Sequence, residues 1–119
     1  MHLTYSFIFI YIMLIHFLGD FALQTNEQAT KKSSDNIQLI YHVSIYSAIW
    51  FIASLPIIGA WAILFAFITY FTHFITDYCS SRIGKSFWDK QDMHNGFVIV
   101  GFDQIIHFIT LWYTLQIFL

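Results

Sequence analysis

The sequence predicts an all-α fold, a polytopic membrane protein whose four transmembrane helices form one compact bundle over residues 1–119. Three observations predict it. First, hydrophobic residues make up 58% of the chain and charged residues only 10%, whereas a water-soluble domain carries about 25% charged residues. Second, four apolar runs stand out: Leu3–Leu23, Ile37–Leu55, Ile57–Cys79 and Phe97–Leu119, of 21, 19, 23 and 23 residues. A helix needs roughly 20 residues to cross the hydrocarbon core. Third, the basic residues fall only in the connections between alternate runs. The single Cys79 excludes an internal disulfide, and a net charge of −2 leaves no basic footprint for nucleic acid.

The first run has no basic leader and no small-residue cleavage site after it, so it is expected to stay as a helix rather than act as a signal peptide. It is followed by a polar connection, Gln24–Asn36. The second and third runs are expected to meet in a tight turn at Leu55–Pro56, and the third leads into a second polar connection, Ser80–Gly96. Lys31, Lys32, Arg82, Lys85 and Lys90 all lie in the two polar connections. The positive-inside rule then makes that side cytoplasmic and both termini external, in a bacterial-type inner membrane. Trp50, Trp61, Trp112 and Tyr113 fall near the outer ends, where an aromatic belt is expected.

Polar groups interrupt these runs in a pattern. His16/Asp20, His73/Asp77 and Asp103/His107 are each four residues apart, so each pair shares a helix face. Gln24 extends the first stripe. Gln38, His42 and Tyr46 form one on the second helix, Thr69 and Thr76 flank the third, and Thr110 and Thr114 continue the fourth. At ~1.5 Å per residue, the seven His and Asp side chains share one layer roughly 5–15 Å below the cytoplasmic boundary. An Asp at a span centre costs about 2.5–3.5 kcal/mol on the insertion scale. Interhelical polar contacts return only about 0.6–2 kcal/mol each, so a purely structural polar core is a poor account of three carboxylates.

Imidazoles and carboxylates together are the donor set of a transition-metal centre. The expected ligands are His16, Asp20, His42, His73, Asp77, Asp103 and His107, converging on a divalent transition metal, zinc foremost, with manganese or iron as alternatives. Asp103, Asp20 and Asp77 are the candidate catalytic acids or bases, and Gln24 and Gln104 the candidate cofactor-orienting amides. Cys79 reads as a small buried hydrophobe, and Asp92 and His94 as solvated surface residues.

The strings HFLGDFALQTNEQATKK, YHVSIY, HFITDY and DQIIH resemble a small integral membrane family of bacteria and phages, domain of unknown function 3307. The likeness covers nearly the whole chain. It carries over at His16, Asp20, Gln24, His42, His73, Asp77, Asp103, Gln104 and His107, and it implies a shared site without an assigned chemistry. In architecture and His/Asp content the chain is also similar, more distantly, to bacterial membrane-bound metal-dependent hydrolases.

Two classes of function follow as expectations. One is a metal-dependent hydrolase acting on a lipid or lipid-linked substrate just beneath the cytoplasmic headgroups. The other is a noncatalytic membrane subunit or phage interaction protein with a structural metal, in contact with a membrane protein partner or a second copy of itself. A proton or metal-ion relay is a third reading, weakened by the absence of a polar stripe in the outer halves of the helices.

Overall fold

Two kinds of local chemistry set the helix boundaries in the computed structural model, which describes residues 4–119: side-chain caps at the starts and short reversals at the ends. Leu3, the expected start of the first span, lies outside the described residues, as does His2. Helix α1 (Tyr5–Phe17) is capped by Thr4, whose hydroxyl accepts from the Phe7 N–H at 3.3 Å. It passes directly into a π-helical turn, Leu18–Ala22.

The first polar connection contains a short helix, α2 (Asn26–Lys31), that hydrophobic periodicity does not reveal. Its signal is a capping box. The Gln28 N–H donates to the Thr25 hydroxyl at 3.1 Å, and the Thr25 N–H donates to the Gln28 Oε1 at 3.2 Å. Helix α3 (Asn36–Ile58) starts on Asp35, which accepts from the Ile37 N–H at 2.9 Å.

The turn expected at Leu55–Pro56 lies further on. Pro56 is inside α3, and the reversal occurs at Gly59–Trp61, where Gly59 takes φ +57°. Glycine adopts that region without the Cβ penalty that other residues bear, and so it ends the helix here. Pro56 sits in the last turn, where its missing N–H forfeits the bond to the Ile52 carbonyl without ending the helix.

Helix α4 (Ala62–Asp89) likewise overruns its expected end at Cys79. Ser80–Asp89 is polar but still helical, and Lys85 pairs with Asp89 one turn on at 2.5 Å. The connection to α5 (Met93–Phe118) therefore shrinks to Lys90–Asp92, with Gln91 at φ +60°. Asp92 caps α5 by accepting from the Asn95 N–H at 3.1 Å, and the Asn95 side-chain amide and backbone N–H lower its pKa. His94 is exposed, as expected. Gly96 lies against the Trp88 indole, so a Cβ there would collide with the ring and hold the two helices apart.

The long helices pack antiparallel. On α3 and α4, His42 meets His73 and Trp50 meets Phe65; on α4 and α5, Asp77 meets His107 and Trp88 meets Phe97. Helix α1 closes the bundle, with Tyr11 donating to the Ala53 carbonyl of α3 and His16 against Gln104 and Phe108 of α5. The interior divides along its length. Toward the Gly59 reversal it is apolar, with Ile8, Ile12, Trp50, Phe65, Leu111 and Leu115 in one cluster. Trp50 is thus a core residue, 1% exposed, and not part of an aromatic belt. Toward α2 the interior becomes polar.

The outward faces are apolar. Phe67, Ile75, Phe102 and Ile117 are 60–74% exposed, and Cys79 is exposed rather than buried. Tyr5–Ala22, Asn36–Asp89 and Met93–Phe118 are long and apolar enough to cross a membrane. The middle stretch comprises α3 and α4, folded back on each other at Gly59–Trp61. The longest dimension of the molecule is 50 Å, against about 30 Å of hydrocarbon.

Candidate metal centre

Each long helix delivers its polar stripe to the same interior layer. His16, Asp20, His42, His73, Asp77, Asp103 and His107 are all buried, none more than 7% exposed. On the first helix the π-helical turn makes this arrangement. Its wider winding turns both Gly19 and Asp20 inward beneath His16. On α4 and α5 ordinary helical spacing suffices, and His73/Asp77 and Asp103/His107 fall on one face each.

Four of the seven form a cage. His42 Nε2 lies 3.0 Å from Asp20 Oδ1, 3.3 Å from Asp77 Oδ2 and 3.2 Å from His73 Nε2. His73 Nε2 lies 3.4 Å from Asp20 Oδ1 and 3.3 Å from Asp77 Oδ2. Hydrogen bonds account poorly for this set, because the two nitrogens together offer at most two protons to five close contacts. One shared ion accounts for it better, the five contacts lying at or just below the spacing of donors around it. Donors at about 2.0–2.2 Å from zinc are about 3.3–3.6 Å from one another. The donor types, imidazole and carboxylate, suit such an ion. These residues can hold a metal ion.

Asp20, Asp103 and His107 form a second such group, sharing Asp20 with the first. His107 Nε2 lies 3.2 Å from Asp103 Oδ2 and 3.0 Å from Asp77 Oδ1. Ser80 donates to Asp103 Oδ1. His16 stands outside both groups. Its Nε2 lies 2.6 Å from Gln104 Oε1, which accepts its proton, and its Nδ1 then accepts from the Tyr46 hydroxyl at 2.7 Å. The Gln104 amide donates to Asp20 Oδ2 at 3.1 Å and Asp103 Oδ2 at 3.0 Å. His16 and Gln104 thus orient the carboxylates, and Tyr46 braces the layer by stacking on His73 with ring centroids 3.8 Å apart.

Lys32 is the residue that sequence reasoning misses. It follows α2, yet its Nζ reaches Asp77 Oδ2 at 3.1 Å across a separation of 45 residues. Burial works against its charge, but the Asp77 and Asp20 carboxylates outweigh burial and hold its pKa above the usual lysine value. In the sequence Lys31 and Lys32 are adjacent basic residues of one polar connection, with nothing in their charge to tell them apart. The signal that separates the two is the capping box, which fixes α2 and leaves Lys31 exposed while Lys32 turns in.

A cleft of about 400 Å³ leads from this layer to the surface beside α2. Asp20, Asp103 and Gln104 form its floor, Lys32, Ser33, Ser80 and Ser81 its polar wall, and Trp88, Ile99 and Val100 its apolar wall. Gln24 also lines it, and its Oε1 and the Ser81 hydroxyl are buried there without a hydrogen-bond partner among the described residues.

Residues 8–118 match the family described as "Protein of unknown function (DUF3307)". No curated protein and no solved structure matches the chain.

Proposed function

The chain belongs to DUF3307, a family of unknown function, and we propose that it is a four-span membrane protein whose Asp20, His42, His73 and Asp77 bind a divalent metal, zinc foremost, in a hydrolase of a phosphorylated lipid or lipid-linked substrate. One observation carries the reading: four donor atoms from three helices within 4.8 Å of one another, beside a cleft that holds a lysine. A bound divalent ion polarises a phosphoryl oxygen and acidifies water at neutral pH. Lys32 supplies the cation that holds the phosphate. Asp103, on the cleft floor and held by Ser80, accepts the proton of the attacking water and returns it to the leaving oxygen as the ester P–O bond breaks. Gln24 and Ser81, with unpaired polar atoms in the cleft, bind the remaining head-group polar atoms.

The membrane setting rests on the exposed apolar faces, which water would penalise at about 25 cal/mol per Å². All five basic residues fall on the side of the cleft, so the mouth opens at the cytoplasmic headgroups of a bacterial-type inner membrane. The apolar wall of Trp88, Ile99 and Val100 then accommodates the first carbons of an acyl or prenyl chain. A proton relay finds no support in the opposite half of the bundle, which is filled by Trp50, Phe65 and Leu115.

The test is hydrolysis by the purified protein in detergent, with a phosphatidic acid and a prenyl diphosphate beside a neutral carboxyl-ester lipid. Metal-dependent release of phosphate, lost on chelation and in His42→Ala, is expected. Stoichiometric metal with no turnover of any of the three would leave the noncatalytic, structural-metal reading in its place.

A further inference from the structure

Asp20 and Asp77 each turn one oxygen into the cage and the other away from it. Asp20 Oδ1 and Asp77 Oδ2 face His42 and His73, while Asp77 Oδ1 lies 3.0 Å from His107 Nε2 and Asp20 Oδ2 lies 3.1 Å from the Gln104 amide nitrogen. Asp103 Oδ2 completes this second set, 3.2 Å from His107 Nε2 and 3.0 Å from the same amide. The geometry points to a second divalent-cation position beside the first, held by Asp20 Oδ2, Asp103 Oδ2 and His107 Nε2, which fills together with a phosphate group. The inference rests on the metal-dependent reading above and adds the second ion and its condition of binding.

The donor chemistry matches. A carboxylate that binds one ion through each oxygen holds the pair about 3.5–4 Å apart, the usual separation in two-metal phosphoryl-transfer sites. Gln104 is compatible with it. Its amide nitrogen donates to two of the three atoms named. A flip of that amide presents Oε1 instead, and His16 and Tyr46 follow by exchanging donor and acceptor roles along their 2.6 and 2.7 Å contacts.

Charge sets the condition. One divalent ion and the Lys32 ammonium balance the carboxylates of Asp20, Asp77 and Asp103. A second ion is in excess until an anion arrives, and a phosphate dianion restores neutrality. The position also has the right exposure for that partner, since Asp20 and Asp103 line the cleft whereas His42 and His73 do not. The second ion is thus the more open of the two toward the cleft and the phosphate.

The experiment counts manganese bound to the detergent-solubilised protein by equilibrium dialysis, with and without inorganic phosphate, and reads the bound ions by electron paramagnetic resonance. One ion per chain is expected without phosphate and two with it, the pair giving an exchange-coupled signal. His107→Ala and Asp103→Asn are each expected to hold one ion under both conditions, and retention of that ion reports that the variant has folded. One ion in the unaltered protein whatever the phosphate, or two in His107→Ala, overturns the second position while leaving the first. No ion at all overturns both.

Discussion

The ring of Tyr46 lies directly on the backbone of Gly19: a Cβ built on that glycine would meet Tyr46 Cδ2 at 2.7 Å. The contact links the π-helical turn to the metal layer, because the same ring stacks on His73 and its hydroxyl reaches His16. Gly19→Ala is therefore expected to displace the ring and destabilise the bundle by about 1–3 kcal/mol. Thermal unfolding in detergent checks it, and an unchanged midpoint would contradict the contact.

His73→Ala removes one of the four cage donors and one face of the Tyr46 stack. The expected result is at least about tenfold weaker metal affinity, together with a lower unfolding midpoint that added metal does not restore. A variant that retains stoichiometric metal would count against the cage.

Lys32→Met tests the division of labour between cage and cleft. Loss of the ammonium removes a charge that competes with the ion for Asp77, so metal content is expected to hold or rise. Turnover of a phosphorylated substrate is expected to fall by about tenfold or more, a barrier change of ~1.4 kcal/mol. Loss of metal in this variant would make Lys32 a structural counter-ion instead.

How far the sequence discloses this arrangement depends on the kind of signal. The His and Asp pairs are legible because a charge inside an apolar run is costly and helical spacing then assigns it a face. The partner of Asp77 is not, because Lys32 lies in a polar connection where only tertiary packing distinguishes it from Lys31. Trp50 shows the same limit in reverse. Its depth along α3 suits an aromatic belt, but which way it faces is decided by Phe65 on the neighbouring helix. The end of α4 at Asp89 escapes because a run of hydropathy ends where the apolar surroundings end, while helical hydrogen bonding continues. Two boundaries were in the sequence all along: the Thr25/Gln28 box that starts α2 and Gly59, rather than Pro56, as the stop of α3.

Single cysteines at Lys31 and Ala60, in a Cys79→Ala background, test the orientation. Both positions are exposed and lie at opposite ends of the bundle. In intact cells a membrane-impermeant thiol reagent is expected to label position 60 and spare position 31. The reverse pattern would place the cleft on the outer side and invert the topology.

The most direct measurement is zinc-edge X-ray absorption on zinc-loaded protein after dialysis to remove loosely held ions. The expected spectrum has tetrahedral coordination by nitrogen and oxygen at about 2.0–2.2 Å, with the outer-shell scattering of two imidazoles, reduced to one in His42→Ala. Absence of retained zinc, or a shell of oxygen alone with no imidazole scattering, would contradict a metal held by Asp20, His42, His73 and Asp77.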